Sequence, residues 1–355
     1  MKKRIKLYTH TDLDGYGCSI LLKIFLSTHY DIEVTYLDYS DIKNTDFKKD
    51  IEKYEYIFIT DLNCSDYLLE NLEKTEHNKK IFFIDHHLIN SDTRDSLRNN
   101  FNVKVYCDTP ESATYYLYIY LMKLNSENKL KIENYTNNKK NIISEFIHGV
   151  SAYDTWFWKQ SECPLGTRNT AENLNILFNF LTPSEFEEEI ISNLKASVLF
   201  TSKNLATLDT IKKIKENYII KKLKEVSLHS EGSIRCFAYV EAEQYGNELA
   251  DILLYPEKYE TLIKEVGFYE KYNSLISFPD IPLVIIKNSN YLSFRSKSDW
   301  ALKTAKKFEG GGHAQASGAP IPYLYTQKFP NLILRILKGD YKIRDGQIYY
   351  EEMVK

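Results

Sequence analysis

The sequence predicts a two-lobed α/β protein, its first lobe a doubly wound parallel sheet that a long helix joins to a smaller α/β lobe. Three observations predict this. The chain has 355 residues, more than one compact core usually organises, and 43% of them are hydrophobic, enough for two. In the first third, short apolar runs of strand length each end in an acidic or histidine-bearing turn and give way to a helical pattern. After a long amphipathic stretch, strand and helix patterns alternate again. The resulting division is a first lobe over 1–185, a linking helix over 186–228 and a second lobe over 229–355.

Taken in order, Arg4 to Tyr8 reads as the first strand and leads into THTDLDG, followed by a helix near Tyr16 to Ser27. Strands follow at Glu33 to Leu37, Tyr56 to Thr60, Lys80 to Ile84 and Val103 to Cys107, with helices at Tyr67 to Lys74 and Ser112 to Lys123 as the crossovers that parallel strands require. Residues 131 to 141 are polar and read as a loop. Ile142 to Val150 is helical up to SAYDTW, and a stop signal sits at Cys163 to Gly166. Thr182 followed by Pro183 reads as a helix start, and the apolar positions Ile190, Leu194, Val198, Leu205, Leu208, Ile211 and Ile219 extend that pattern as the linking helix. Its lysines read as a solvated face. In the second lobe, strands are expected at Ile234 to Val240, Leu283 to Ile286 and Tyr291 to Phe294, and helices at Asn247 to Leu254 and Trp300 to Phe308.

Composition narrows the function. Net charge is -3 and the pI about 6.3, which is not the broad basic surface that long duplex nucleic acid demands. A phosphate ligand is expected to be short or bound locally. No apolar run approaches the roughly 18 residues of a membrane span, and the N-terminus turns acidic before a signal peptide could develop. Five cysteines stand singly, without a CxxC pair, so neither a disulfide framework nor a zinc knuckle is indicated, and a reducing cytoplasm fits.

The chemistry concentrates where three strands end. His10, Asp12 and Asp14 follow the first, Asp61 the next, and Asp85, His86 and His87 the third. Ligands in open α/β sheets bind beyond the carboxyl ends of strands, where the loops diverge. If THTDLDG stays extended, its spacing by two sends alternate side chains to one side. Singly, Asp14-Gly15 is an ordinary turn, and Asp61 or Asp85 an ordinary helix cap. Together, so many carboxylates would repel unless cations neutralised them, and oxygen ligands with some imidazole and no thiolate suit Mn²⁺ or Mg²⁺.

HTDLDG at 10 to 15, Asp61 after YIFIT, DHH at 85 to 87 and YDTW at 153 to 156 resemble the DHH phosphoesterase superfamily. SFRS at 293 to 296 and GGGH at 310 to 313 are similar to its DHHA1 substrate-binding domain. Within the superfamily, the layout looks most like the short-oligonucleotide exonucleases, the nanoRNases of the oligoribonuclease B type. Phosphoadenosine phosphate phosphatases, cyclic dinucleotide phosphodiesterases and RecJ-type exonucleases share it.

The resemblance implies two Mn²⁺ ions, with Mg²⁺ as the alternative. His10, Asp12 and Asp61 would hold one, and Asp14, Asp61, His86 and Asp154 the other, with Asp61 bridging. Asp85 would orient an imidazole and His87 would donate to the scissile phosphate. Arg295, Ser296, Gly311, Gly312 and His313 would bind substrate, in a segment (283 to 313) whose six Lys/Arg against two acidic residues give a local charge of +4. The expected substrates are short RNA or DNA oligonucleotides or nucleotide phosphates, cut to 5′-mononucleotides. A substrate clamped in one lobe and cut in the other has a built-in length limit. The non-enzymatic rival, a nucleotide-binding scaffold on a decayed fold, is expected to have lost ligands, whereas every matched position is filled. Oligomeric state stays open, a homodimer included.

Overall fold

The computed structural model describes residues 2–50, 52–63, 66–67, 70, 81–87, 92–93, 95, 102–105, 111–231, 234–268, 281–322 and 329–350. All five apolar runs of the first third form strands: β1 Lys3–His10, β2 Tyr30–Leu37, β3 Tyr56–Thr60, β4 Ile81–Asp85 and β5 Asn102–Val105. They pair in parallel in the order β2-β1-β3-β4-β5. The chain steps from β1 to β2, then returns past β1 to place β3 on its other side. Strand succession therefore reverses between β1 and β3, and the crevice that such a reversal opens lies at their carboxyl ends. β3 and β4 are buried almost throughout, which accounts for unbroken apolar runs where a half-exposed strand would alternate.

Three helices form the layer against one face of this sheet: α1 Leu13–Leu26, α2 Ala113–Ser126 and α3 Asn137–Asp154. Ile20, Leu22, Leu117, Leu121, Phe146 and Val150 from these helices share a core with Phe58 and Ile84 of the sheet. Tyr8, Ile57, Ile59 and Phe83 project to the opposite face and pack with Leu37 and Phe47. Of the helix expected at Tyr67 to Lys74, only Tyr67 and Glu70 fall within the described residues, and Lys80, Tyr106 and Cys107 lie outside them.

Three expectations need correction. The polar run expected as a loop over 131 to 141 is partly helix, since α3 starts at Asn137. Its first turns are largely exposed, so polar residues satisfy them without an apolar stripe. The stop signal at Cys163 to Gly166 is instead the start of α4 Leu165–Phe180; Pro164 cannot continue a helix but readily precedes one. The linking helix expected over 186–228 is two helices, α5 Pro183–Lys195 and α6 Ser202–Glu225. α5 does begin at the predicted Thr182, with Glu185 completing a reciprocal capping box. The break follows from Ser197, which adopts a left-handed φ of 61°. Asn193 Nδ2 then donates to the Leu199 carbonyl at 3.1 Å and to Asn204 Oδ1 at 2.9 Å, replacing the backbone bonds lost at the turn. Apolar periodicity carries no trace of such a side-chain splice.

Contacts divide the chain into two units, Met1–Asp209 and Thr210–Lys355. The second is built on six strands, β6 Ser227–Glu231, β7 Ile234–Glu241, β8 Leu283–Lys287, β9 Tyr291–Arg295, β10 Gly311–Gly312 and β11 Ala316–Pro320. Their order is β10-β11-β9-β8-β7-β6, with only β7 and β8 parallel. α7 Gly246–Leu254 contributes Leu249 and Leu253 to one core, while α8 Trp300–Lys307 and α9 Phe329–Lys338 contribute Ala301, Ala305, Leu332 and Ile336 to another. A hairpin, β12 Tyr341–Arg344 and β13 Gln347–Tyr350, closes the described chain. Cys18 and Cys163 are buried free thiols. No described helix is long and apolar enough to cross a membrane.

Gly15 ties this fold to the crevice. A Cβ there would stand 2.1 Å from the His10 carbonyl oxygen, a backbone atom that cannot swing aside. Gly15→Ala is therefore expected to displace the end of β1 and destabilise the protein by about 1–3 kcal/mol. Chemical denaturation checks this, and an unchanged midpoint would show that the elbow has room to spare.

Candidate metal centre

THTDLDG does not stay extended, which corrects the geometry expected from its spacing. β1 ends at His10, Asp12 caps α1 by accepting from Gly15 N at 3.0 Å, and Asp14 lies in the first helical turn. The ligands converge because the chain turns sharply from strand to helix. Gly17 lets α1 approach α2, since a Cβ there would lie 2.3 Å from Thr114 Oγ1. Asp14 then reaches across to the start of α2, where its carboxylate accepts from Ala113 N at 2.7 Å and Thr114 N at 2.9 Å. A helix N-terminus is the natural seat for a buried anion.

Asp61 follows β3 with a left-handed φ of 56°, and its N–H is held by the Ile84 carbonyl. Asp154 is the last residue of α3. These two meet the end of β4 at His86, whose Nε2 is 3.4 Å from Asp61 Oδ1, 3.3 Å from Asp154 Oδ2 and 3.9 Å from Asp14 Oδ2. On the other side, His10 Nδ1 lies 2.8 Å from Asp12 Oδ2. Three sets could each hold an ion, their donor atoms within 4.8 Å of one another: His10, Asp12 and Asp61; Asp14, His86 and Asp154; and Asp61, His86 and His87. Asp61 and His86 each belong to two. All six residues expected as ligands are thus brought together.

Asp85 is placed differently. Fully buried, it accepts from Leu62 N, Asn63 N and His87 N at 3.1, 2.8 and 2.9 Å, and its Oδ1 lies 2.6 Å from His87 Nδ1. Its oxygens are committed to fixing the loop after β3 and the His87 ring, leaving His87 Nε2 turned outward. Sequence reasoning missed Tyr39, whose ring stacks on His10 with centroids 4.4 Å apart and whose hydroxyl is 3.3 Å from His87 Nε2. It lies just beyond β2, so the strand-end rule that found the aspartates would have reached it had aromatic groups been considered alongside ligands.

The electrostatics divide the carboxylates. Burial, followed by the charges of Asp14, Asp12, Asp85 and Asp154, pushes Asp61 well above the carboxylate range. Burial likewise raises Asp14, and raises Asp154 to about 9 with help from the same neighbours. Burial also acts on Asp12 and Asp85, but hydrogen bonds reverse it: His10 and Gly15 N hold Asp12 low, and His87 holds Asp85 low. His10 is raised by Asp12, and His87 by Asp85 against its own burial. Asp61 Oδ2 and Asp154 Oδ2 are buried without a hydrogen-bond partner. Buried polar atoms are rarely left so, and cations held by the sets that contain Asp61 and Asp154 would satisfy both. The donor set therefore fits a metal.

The substrate-binding expectations fall in the second unit. Arg295 is half-buried at the end of β9 and rigidly held, with Nη1 donating to Ser293 Oγ at 2.8 Å and the Phe294 carbonyl at 3.0 Å, and Nη2 to Asn247 Oδ1 at 2.8 Å. Gly311 and Gly312 form β10, and the exposed His313 follows, its N–H bonded to the Ala316 carbonyl. A Cβ at Gly311 would meet nothing within 4 Å, so no packing in its own unit requires a glycine there. Ser296 is a correction. It is buried, and its hydroxyl donates to the Ser298 carbonyl at 2.7 Å and accepts from Ala301 N at 3.0 Å, so it shapes the entry to α8 and presents no hydroxyl outward. The +4 segment is also partly spent internally: Lys303 pairs with Asp299 at 2.7 Å and Lys307 donates to the Leu337 carbonyl.

A model of the DHH family, N-terminal domain, matches residues 4–149. Oligoribonuclease NrnB of Bacillus subtilis (strain 168) is 28% identical over 325 residues, 89% of this chain and 72% of that protein, a span that must enter both units. Among solved structures, RecJ from Thermus thermophilus in complex with Mn²⁺ aligns over 95% of this chain and 52% of its own, with 12% identity and a TM-score of 0.44. An uncharacterized protein from Helicobacter pylori G27 aligns over 95% and 98%, with 16% identity and a TM-score of 0.35.

The raised carboxyls make a pH prediction. Between the ordinary carboxylate value of 3.8 and about 9, the folded state holds a proton on Asp154 that the unfolded chain releases, so cation-free stability falls as pH rises through that window. Raised His10 and His87 act in the same direction, while Asp12 and Asp85, held low, contribute only in acid. Mn²⁺ held by these groups would take the place of those protons and should raise the melting temperature more at about pH 9 than at about pH 6. Thermal unfolding with Mn²⁺ and with chelator gives the comparison; equal shifts at both pH values would mean that these groups do not hold the ion.

Proposed function

With a DHH family N-terminal domain over residues 4–149 as the premise, we propose that this chain is a metal-dependent phosphoesterase hydrolysing short oligonucleotides, RNA or DNA, to 5′-mononucleotides. The observation that carries the reading is the convergence of His10, Asp12, Asp14, Asp61, His86 and Asp154 with buried donor atoms left unpartnered. The similarity to an oligoribonuclease over 89% of the chain supports the substrate class. His10, Asp12 and Asp61 would hold one ion and Asp14, Asp61, His86 and Asp154 the other, Mn²⁺ or Mg²⁺ by the mixture of imidazole and carboxylate. Such a pair supplies an acidified water and neutralises phosphate charge in an in-line displacement.

The protein's own part follows from its hydrogen bonds. Asp85 fixes the tautomer and plane of His87 through Nδ1, so that Nε2 presents a proton to a phosphate oxygen. Asp14, anchored on two backbone N–H groups of α2, cannot swing away from the cluster, which keeps the spacing of the ligands fixed. In the second unit, Arg295, Gly311, Gly312 and His313 would bind a further phosphate of the substrate, the guanidinium already oriented by its four acceptors.

Purified protein with Mn²⁺ should degrade labelled RNA or DNA of a few nucleotides and spare strands of twenty-four; cyclic di-AMP and phosphoadenosine phosphate serve as the competing substrates. Turnover in excess chelator, or preference for long strands, would sink the proposal. Asp61→Ala should reduce kcat by about a thousandfold or more, because the residue serves two ligand sets; a tenth of wild-type turnover would remove it from the bridge. Arg295→Ala should cost at least tenfold more in kcat/KM on dinucleotides than on bis-p-nitrophenyl phosphate, which has no second phosphate to lose. Equal losses on both would place Arg295 in the fold rather than in substrate binding.

A further inference from the structure

Beside the metal centre, between the end of α3 and the start of α4, lies a cavity of about 380 Å³ whose walls include Glu111, His148, Thr155, Phe157, Pro164 and Thr167. That volume falls within the roughly 300–1,000 Å³ of small-molecule sites. The cavity and the ligand cluster share a wall. Thr155 directly follows Asp154. Glu111 Oε2 accepts from Ser151 Oγ at 2.6 Å, the same Ser151 Oγ accepts from Ser112 N at 2.9 Å, and the next residue, Ala113, gives its N–H to Asp14.

Two further features adjoin the lining residues in sequence. Trp156 and Leu165 are 67% and 69% exposed, more than any other large apolar side chain among the described residues, and each neighbours a cavity-lining residue in sequence. Trp156 also adopts a left-handed φ of 60°, a conformation that a bulky residue holds only at a cost in backbone energy. The turn that ends α3 leaves this large aromatic outside the core. Its free face suits stacking, the sequence-tolerant way in which proteins hold nucleobases.

The charge of the cavity says which part of a nucleotide enters. Its lining includes a carboxylate and no Lys or Arg, so a phosphate would be repelled. A carboxylate has about four lone-pair positions, and those not used by Ser151 suit a pair of adjacent donors. Guanine offers such a pair in its ring N–H and amino group, and ribose in its two hydroxyls. We propose that this cavity seats the nucleoside of the nucleotide whose phosphate stands at the metal centre, with Glu111 accepting its paired N–H or O–H donors and Phe157 and Trp156 supplying aromatic surface. The inference rests on the phosphoesterase reading above and adds to it a nucleoside-binding site.

The test uses the full chain with Mn²⁺ and measures inhibition of dinucleotide hydrolysis by free guanosine, inosine and deoxyguanosine. Competitive inhibition is expected. Inosine falling short of guanosine identifies the base as the donor, and deoxyguanosine falling short identifies the sugar. Glu111→Gln should raise KM for dinucleotides about tenfold while changing kcat less than about twofold, and Trp156→Phe should recover most of what Trp156→Ala loses in KM. No inhibition by any nucleoside, alongside normal hydrolysis of bis-p-nitrophenyl phosphate, would overturn the cavity assignment and leave the phosphoesterase reading standing. Absence of turnover on every phosphodiester would remove both. The wild-type inhibition series needs no variant to fold, so a misfolded Glu111→Gln protein would not shield the proposal.

Discussion

Asp14, Asp61 and Asp85 are each 2% exposed or less and lie at one end of a single sheet. Burying one carboxylate is costly, and burying several together adds their mutual repulsion. The first unit is organised around compensating for this. Asp85 is offset by two donors from the loop after β3 and two from His87, Asp14 by the N-terminus of α2, and Asp12 by His10 and the first turn of α1. Asp61 and Asp154 have no comparable partner; each keeps a buried oxygen without a hydrogen bond, and both are pushed toward the protonated form. The uncompensated part of the cluster thus falls within the residue sets that could hold a cation.

That arrangement explains local features that would otherwise look like unrelated details. Gly15 is required because α1 must leave β1 so abruptly that the His10 carbonyl occupies the space of a side chain. Gly17 is required because the N-terminus of α2 must come close enough for Thr114 to bond the Asp14 carbonyl. Beneath the cluster, Thr60 Oγ1 donates to Thr9 Oγ1 and Thr9 Oγ1 to the Gly15 carbonyl, so the ends of β1 and β3 and the start of α1 are tied by hydroxyls rather than by apolar contacts. A site assembled from four separate chain segments needs this rigidity, since a shift of one segment would change every donor spacing.

The second unit follows a different logic. It has exposed glycines at β10 and a half-buried arginine held by acceptors of its own unit, in place of a cluster of buried carboxylates. Gly310 and Gly312 are required by close approach to β11, where added Cβ atoms would strike Gly318 O at 2.1 Å and Ala316 O at 2.8 Å. Gly311 is free of that constraint. This glycine without an internal packing reason lies two residues from the exposed His313.

The amino-acid sequence by itself determined the parallel sheet, because fully buried strands must be unbroken apolar runs and their crossovers must be helices. It also determined that the ends of β1, β3 and β4 would meet, because aspartates and histidines placed directly after such strands have one crevice to occupy. Thr182 was legible as a helix start because its cap is local. What needed the structure was everything set by particular hydrogen-bond and steric partners rather than by an apolar period. The elbow after His10, the two helices in place of one after Thr182, and the commitment of the Ser296 hydroxyl to its own turn depend on partners that periodicity does not encode. So does Asp14 resting on α2, a bond between residues about a hundred positions apart. Tyr39 and Glu111 carry no motif at all. Tyr39 reaches the cluster because β2 pairs in parallel with β1 and ends beside it, and Glu111 is joined to it through Ser151 of α3, so strand pairing and side-chain hydrogen bonds set both places.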